Sequence, residues 1–396
     1  MRGAPIRENV AIAGIGYTGC YRSPDAPIST MAMRAIVEAV ADAGIEVADI
    51  DGICTYDLPI RTSDGVTGVN TVNCEYLIEA LGLPGVTWWA DRGMNVPMGL
   101  GGVSEAAMAV AAGMCEVALV VSTSWRPKSG VYAAVNEPLA TGPSAFTTPY
   151  GFGIMPQMWA PWWRRYMFEY GATEEQLATF VVGNRANYLL SNVPGVAPKD
   201  PLTVDDYLNS RWIASPLRLL DCDWPCDNAG AVIVTTAERA RDMKQIPALV
   251  LAVGGGTGPR HSFEWWDNGA NHGGDYVAKG IWEKAGIGPE DMDFFMLYDG
   301  FSPFAFYWLE SLGFVGRGEA GDFIAGGGLS REGSLPATPH GGSLNEGRSL
   351  SMGHVIEGVR QLRGTAGLRQ LPRHATTVVT GGGDHMCNVV VLRADV

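Results

Sequence analysis

The sequence predicts an α/β fold in which one unit of strands and helices occurs twice. The first sign is a pair of short apolar runs that each lead into a glycine-rich turn, VAIAGIGYTG at 10–19 and LVLAVGGGTG at 249–258. Such runs are typical of buried strands. The second sign is a pair of segments, 43–57 and 285–299, that share Ala-Gly-Ile, Asp-x-Asp and Tyr-Asp at constant spacing. Each predicts a strand that ends in Tyr-Asp, so the two halves are expected to be copies.

The other elements of the repeated unit follow in chain order. Helical patterns at 31–42 and 275–284 precede the two Tyr-Asp strands. The stretch 103–113 is small and apolar and predicts a helix that Gly113 closes. The run CEVALVVST at 115–123 then predicts a fully buried strand.

A third pair of segments and one unmatched segment complete the domain organisation. DNAGAVIVTT and DHMCNVVVLR predict the last strand of each half. The segment 124–220 has no copy in the second half and is interpreted as an insertion. We therefore predict a first half made of 1–123 and 221–247, the insertion at 124–220, and a second half at 248–396.

The insertion contains two predicted helices. The first carries a cluster of aromatic residues between Trp159 and Tyr170, together with Arg164 and Arg165. It is expected either to line an apolar ligand or subunit contact, or to form an ordinary helical core. The second helix follows Thr173, which forms a predicted capping box with Gln176.

Composition excludes several classes of protein. The 396 residues are 46% hydrophobic, which argues against disorder. The net charge of −14 argues against non-specific binding of nucleic acid and against a basic surface that docks on membranes. The chain contains no apolar run of the ~18 residues that a membrane span requires. The amino terminus has no long apolar segment typical of a signal peptide. The seven scattered cysteines are expected to be free thiols and suggest no metal site. A cytoplasmic protein is expected.

Three further stretches resemble the thiolase superfamily. DCDWPCDNAGAVIVTTAERA at 221–240 is similar to the strand that closes the first half of a thiolase. GGGDHMCNVVVL at 381–392 and HGGSLNEGRSLSMGH at 340–354 are similar to its glycine loops. Segment 169–210 resembles the branch of sterol-carrier-protein thiolases and lipid-transfer proteins. The resemblance implies a duplicated five-layer αβαβα fold, a homodimer and a coenzyme A thioester as substrate.

The positions that carry thiolase chemistry differ in this sequence. The resemblance places Val96 and Val379 where thiolases have their two catalytic cysteines, and Tyr298 and Arg348 where they have histidines. Valine cannot form an acyl-enzyme. Cys115 lies in a predicted buried strand and does not replace the nucleophile. Acyl transfer through a covalent intermediate is therefore not expected.

The replacements are themselves chemically useful. Tyr298 can hold or move a proton, but an unperturbed tyrosine has a pKa of about 10 and needs a nearby cation to act as a base. Arg348 can supply that charge or hold an enolate oxygen. The structural alternatives are a buried hydroxyl for Tyr298, as for its copy Tyr56, and a surface ion pair with Glu346 for Arg348.

The glycine loops predict the rest of the site. His385 follows Gly381–Gly383 and is the third candidate catalytic residue, because a histidine beside a glycine turn can exchange protons near neutral pH. The alternative for His385 is a purely structural role. His340 and His354 are expected to hydrogen-bond the other loop. The predicted substrate-binding residues are Asp299, Gly341, Gly342, Gly382, Gly383 and Asp384.

The sequence also resembles actinobacterial lipid-transfer-protein aldolases of steroid side-chain breakdown, which carry tyrosine in the same Tyr-Asp motif. The resemblance implies retro-aldol cleavage of a β-hydroxyacyl-coenzyme A, with no cofactor bound in the chain. It also implies a small partner protein with an OB-fold and a zinc ribbon. Those aldolases have a second tyrosine in the glycine-loop region, where this sequence has Arg348. The alternatives are a non-catalytic acyl-coenzyme A or lipid-binding subunit and an acyltransferase of unusual mechanism.

Overall fold

A computed structural model describes residues 5–57, 72–92, 98–125, 142–258, 273–383 and 386–395. The strands in these ranges are β1 (Val10–Tyr17), β2 (Gly52–Asp57), β3 (Trp88–Arg92), β4 (Val117–Ser124), β5 (Trp212–Ala214), β6 (Leu217–Arg218), β7 (Asn228–Thr236), β8 (Ala248–Thr257), β9 (Phe294–Met296), β10 (Thr376–Gly382) and β11 (Met386–Ala394). The helices are α1 (Ile28–Ala43), α2 (Cys74–Leu81), α3 (Met98–Ala111), α4 (Met155–Tyr170), α5 (Glu174–Leu189), α6 (Val204–Leu208), α7 (Ala237–Arg241), α8 (Gly274–Val277), α9 (Ile281–Ala285), α10 (Phe304–Ser311), α11 (Ala320–Ala325) and α12 (Met352–Leu362).

The strand topology confirms the duplication. The larger sheet has the order β3-β2-β4-β7-β1-β8-β11-β10-β9. In the first half β2 is parallel to β4, and β7 is antiparallel to both β4 and β1. In the second half β9 is parallel to β10, and β11 is antiparallel to both β10 and β8. The pairs β1/β8, β2/β9, β4/β10 and β7/β11 are therefore equivalent. The three sequence pairs predict all of them except β4/β10.

The packing of helices on strands produces five layers. Helix α1 packs on β1, β4 and β7, whereas α8 packs on β8 and β11. Helix α3 contacts strands of both halves, and so does α12, so these two helices lie between the halves. Three apolar clusters fill the spaces between these layers. The predicted αβαβα architecture is confirmed.

One helix of the duplicated unit differs from the prediction. The pattern at 275–284 predicts a single helix, but the structure has two short helices, α8 and α9. Gly280 lies between them with φ +71°, a left-handed conformation that a continuous α-helix does not contain. The helix is interrupted at that glycine.

The helices of the insertion pack against the second half. Trp159 on α4 contacts Phe304 edge to face at 4.8 Å between ring centroids, and Trp163 contacts Phe306 at the same distance. These rings belong to the apolar cluster that also surrounds Tyr298. Of the two predicted roles, the aromatic face of α4 therefore forms a core. The capping box of α5 is confirmed by hydrogen bonds in both directions between Thr173 and Gln176.

In the part of the chain that the structure describes, no helix has the length and apolar character to cross a bilayer.

Candidate active site

Tyr298 lies just beyond the end of β9 and is 4% exposed. Its backbone N–H donates to Thr380 Oγ1 at 2.9 Å, which fixes it against β10. Its ring stacks on Phe304 with centroids 6.1 Å apart and lies 5.9 Å from the ring of His354. The phenol end lies over Gly300, where a Cβ atom would come within 2.7 Å of Cζ of the tyrosine. Glycine at this position therefore makes room for the hydroxyl group.

Asp299 anchors the neighbouring glycine loop. Its carboxylate is fully buried. It accepts hydrogen bonds from Ser343 N at 2.6 Å, Leu344 N at 3.3 Å and Asn184 Nδ2 at 3.1 Å, and lies 3.2 Å from His354 Nε2. Because protein groups occupy these oxygens, the geometry favours a positioning role over the predicted contact with substrate.

Gly341 and Gly342 allow this loop to approach its neighbours closely. Their φ angles are +92° and +65°, in the region that favours glycine. A side chain at Gly342 would collide with the Asp299 carboxylate, and one at Gly341 would collide with Tyr188. These glycines therefore set the position of the loop beside Tyr298.

Arg348 is tied to the segment that precedes β7. Its Nε and Nη2 atoms lie 2.8 and 2.6 Å from the two carboxylate oxygens of Asp223, which is buried. The Asp223 N–H donates to Gly300 O at 3.0 Å, and Arg348 N–H donates to Trp224 O at 2.9 Å. Segment 222–226 thus links the Arg348 loop to the Tyr298 turn. The alternative pairing with Glu346 is wrong, because the guanidinium binds Asp223.

The second glycine loop reaches Tyr298 through an aromatic ring. Gly382 has φ +80°, and its carbonyl accepts from Trp308 Nε1 at 3.0 Å. A side chain at Gly383 would collide with the ring of Phe304, which in turn stacks on Tyr298. The structure therefore brings both glycine loops to the same tyrosine. Asp384, His385 and Val96 lie outside the described residues.

The cysteines are not placed to act as nucleophiles beside Tyr298. All seven cysteines are free and buried. Burial, followed by the charge of Asp51, raises the pKa of Cys115 to about 12, so its thiolate is a rare species at neutral pH. Val379 is fully buried within β10, where it belongs to the central apolar cluster.

Helix α5 carries a polar face that the sequence patterns did not predict. Asn184 binds Asp299 and accepts from Thr338 Oγ1 at 2.5 Å. Arg185 Nε donates to Asn345 Oδ1 at 2.5 Å, and Asn187 Nδ2 donates to a backbone carbonyl of the same loop at 3.0 Å. Asparagine is disfavoured inside helices. The cluster Asn-Arg-x-Asn in this predicted helix was therefore the sequence feature that could have indicated a polar, buried face. The insertion thus holds the glycine loop in place.

Glu346, two residues before Arg348, provides a pH-dependent test of this loop. Burial raises the pKa of its carboxyl to about 7, against an ordinary 4.5, despite an opposing hydrogen bond from Tyr17. Because the folded protein binds this proton more tightly than the unfolded chain, the resulting stability is fully present below the pKa of the unfolded chain. That stability is lost as pH rises through the folded-state pKa of about 7. We expect Glu346→Gln, which is always neutral, to gain about 3 kcal/mol in free energy of unfolding relative to wild type between pH 4.5 and pH 8.

Chemical denaturation across this pH range measures the difference. Glu283→Gln, at an exposed position on α9, is the matched control and is expected to show no such trend. A difference between Glu346→Gln and wild type that does not vary with pH contradicts the expectation.

Comparison with known proteins places this site in a family. A profile described as thiolase C-terminal domain-like matches residues 269–392. The 17-hydroxy-3-oxo-4-pregnene-20-carboxyl-CoA lyase of Mycobacterium tuberculosis is 35% identical over 372 residues, covering 91% of this chain and 93% of that protein. The steroid side-chain-cleaving aldolase of Thermomonospora curvata is 33% identical over 396 residues, covering 97% of this chain and 98% of that protein.

A solved structure gives the same result in three dimensions. The Ltp2-ChsH2(DUF35) aldolase superposes with a TM-score of 0.87 at 32% identity, covering 98% of this chain and 99% of the other. The identity extends along nearly the whole chain and agrees with the duplicated fold. The chain therefore belongs to the thiolase superfamily, in the branch of the steroid side-chain-cleaving aldolases.

Proposed function

We propose that this protein is a carbon–carbon lyase that cleaves a β-hydroxyacyl-coenzyme A by a retro-aldol reaction. The observation that carries the proposal is the link from Tyr298 through Gly300 and Asp223 to Arg348. This link supports a proton-transfer role for Tyr298 beside the cation of Arg348, in a protein whose cysteines are all buried. The names of the 35% and 33% identical relatives support a steroid side chain as the acyl group.

The carbon–carbon cleavage uses these two groups and the thioester. Tyr298, as phenolate, removes the proton of the β-hydroxyl group, whose oxygen becomes a carbonyl as the α–β carbon bond breaks. The bonding electrons pass to the thioester, which becomes an enolate. Arg348 holds the enolate oxygen by charge and hydrogen bonding. A proton then returns to the α carbon, so the products are a ketone and a shortened acyl-coenzyme A. These steps require no further cofactor.

Calorimetry combined with product analysis separates this function from the alternative of a binding subunit. A steroid β-hydroxyacyl-coenzyme A is expected to bind and to be cleaved, whereas the analogue without the β-hydroxyl group is expected to bind and remain intact. Binding of both compounds with no cleavage by the protein, alone and with its partner, would show a binding subunit and contradict the lyase.

We also propose that two copies of this chain form a cytoplasmic dimer through β3. One edge of the large sheet, β9, is covered by a bridge between Phe295 and Ala337. At the other edge, β3 has no further strand beside it among the described residues, and Trp89 on it is 62% exposed. Unpaired edges of this kind readily join a second strand. The name of the similar complex supports an additional partner of the DUF35 type.

Substitution Trp89→Glu is expected to convert this dimer into a monomer, because the two copies would bring two negative charges together where their β3 strands pair. Analytical ultracentrifugation at micromolar concentration measures the change. Phe168→Glu on α4, where the ring is 89% exposed, is the control and is expected to leave the dimer intact. A monomeric wild type, or a dimeric Trp89→Glu variant, contradicts the proposed interface.

A further inference from the structure

Two buried histidines, of which His354 contacts the ring of Tyr298, have no role in the steps above. The rings of His340 and His354 meet edge to face with centroids 4.9 Å apart, and their side chains are inaccessible to solvent. Among the described residues, neither Nδ1 atom has a hydrogen-bond partner. A buried polar atom without a partner costs about 1–3 kcal/mol, so two of them in one place indicate more than packing.

The Asp299 carboxylate defines the chemistry of His354. Their Nε2 and Oδ1 atoms are 3.2 Å apart. Since Asp299 also accepts two backbone N–H bonds, it acts as an acceptor towards the ring. This fixes the proton of a neutral His354 on Nε2 and leaves Nδ1 as the basic atom, and the same carboxylate stabilises the imidazolium if Nδ1 gains a proton.

His354 also lies within reach of the tyrosine. The two rings are 5.9 Å apart between centroids, a separation that one water molecule can bridge for proton transfer. Arg348 cannot return a proton to the enolate, because a guanidinium does not deprotonate in proteins. Tyr298 can remove the β-hydroxyl proton only after its own phenolic proton has passed to another group, and a guanidinium that already carries all its protons cannot accept it.

We propose that His354 is this group and acts through Tyr298, an inference that rests on the proposed lyase function. Before the reaction, the phenolic proton passes to His354 Nδ1, giving a phenolate and an imidazolium paired with Asp299. The phenolate takes the β-hydroxyl proton, the carbon–carbon bond breaks, and the tyrosine gives this proton to the α carbon. The imidazolium then returns its proton to the phenolate, so both residues regain their starting state.

The neighbouring His340 does not compete for this proton. Burial, followed by the charges of His354, Arg369 and Arg360, lowers the pKa of His340 well below its ordinary value, so His340 stays neutral. The charged group in contact with His354 is Asp299, on the Tyr298 turn. Glu357, on the same helix as His354, is paired with Arg369.

Substitution His354→Gln separates proton holding from positioning. Glutamine retains a donor that can reach Asp299 but cannot carry an extra proton. We expect kcat to fall about 100-fold or more with KM within about two-fold. His374→Gln, at a half-buried histidine before β10, is the control and should behave as wild type. Full kcat in His354→Gln overturns the proposal and leaves a positioning role.

A measurement without substrate keeps this test independent of the lyase assignment. Nitrogen-15 NMR of the free protein is expected to show His354 protonated on Nε2, with an Nδ1 signal that shifts when Tyr298 is replaced by Phe. An Nδ1 signal unchanged by Tyr298→Phe overturns the proton exchange even if the protein is an active lyase. If the wild type cleaves no β-hydroxyacyl-coenzyme A, the proposed function fails and the NMR result alone decides the histidine–tyrosine coupling.

Discussion

Replacing Tyr298 with Phe is expected to lower kcat for cleavage of a steroid β-hydroxyacyl-coenzyme A by about 1,000-fold, with little change in KM. The substitution keeps the ring and its contacts with Phe304 and His354. It removes only the hydroxyl group that lies over Gly300. The loss therefore measures proton transfer rather than packing. Steady-state kinetics with separate determination of kcat and KM provide the result.

The duplication supplies a matched control for this variant. Tyr56 is the penultimate residue of β2, at the position in the first half that corresponds to Tyr298, and it is also 4% exposed. Tyr56→Phe is expected to retain wild-type kcat. Full activity in Tyr298→Phe, or an equal loss in both variants, would contradict the assignment of Tyr298 as the base.

Replacing Arg348 with Met is expected to reduce kcat by about 100-fold or more, because the enolate oxygen loses its cation. The substitution also leaves the buried carboxylate of Asp223 unpaired. Breaking a buried ion pair costs about 3–5 kcal/mol. Because the Arg348 side chain is 25% exposed, we expect the free energy of unfolding to fall by about 3 kcal/mol, the lower end of this range. Kinetics and chemical denaturation measure the two effects.

A double variant separates catalysis from stability. Arg348→Met with Asp223→Asn removes the unpaired charge, so most of the lost stability is expected to return while the activity stays low. Arg348→Lys keeps a charge without the two-pronged geometry and is expected to be intermediate. Recovery of activity in the double variant would show that Arg348 acts only through the fold.

The duplicated fold was predictable because its signals are local. Each strand of the unit is a short apolar run next to a glycine turn or a Tyr-Asp end, and the two copies support each other. The exception at Gly280 is also local. Glycine is tolerated in helices at a modest cost, so the sequence pattern did not reveal that this residue adopts a left-handed conformation.

The site was only partly predictable because its contacts are distant along the chain. Tyr298 and Arg348 were identified from the motifs around them. Asp299 was predicted to contact substrate, but its partner Asn184 is 115 residues away in the sequence, and no local pattern indicates that bond. The pairing of Arg348 with Asp223 spans 125 residues, whereas Glu346, two residues away, was the partner that sequence proximity suggested. Buried polar networks of this kind depend on the assembled fold.

The most direct test of the account is a single-turnover experiment that follows the substrate and the enzyme together. The protein is mixed with a steroid β-hydroxyacyl-coenzyme A, and mass spectrometry records the small products and the intact protein over time. The retro-aldol mechanism predicts equal amounts of a ketone and a shortened acyl-coenzyme A, with no change in the mass of the protein. An acyl adduct on the protein, or release of coenzyme A with the carbon–carbon bond intact, would contradict it.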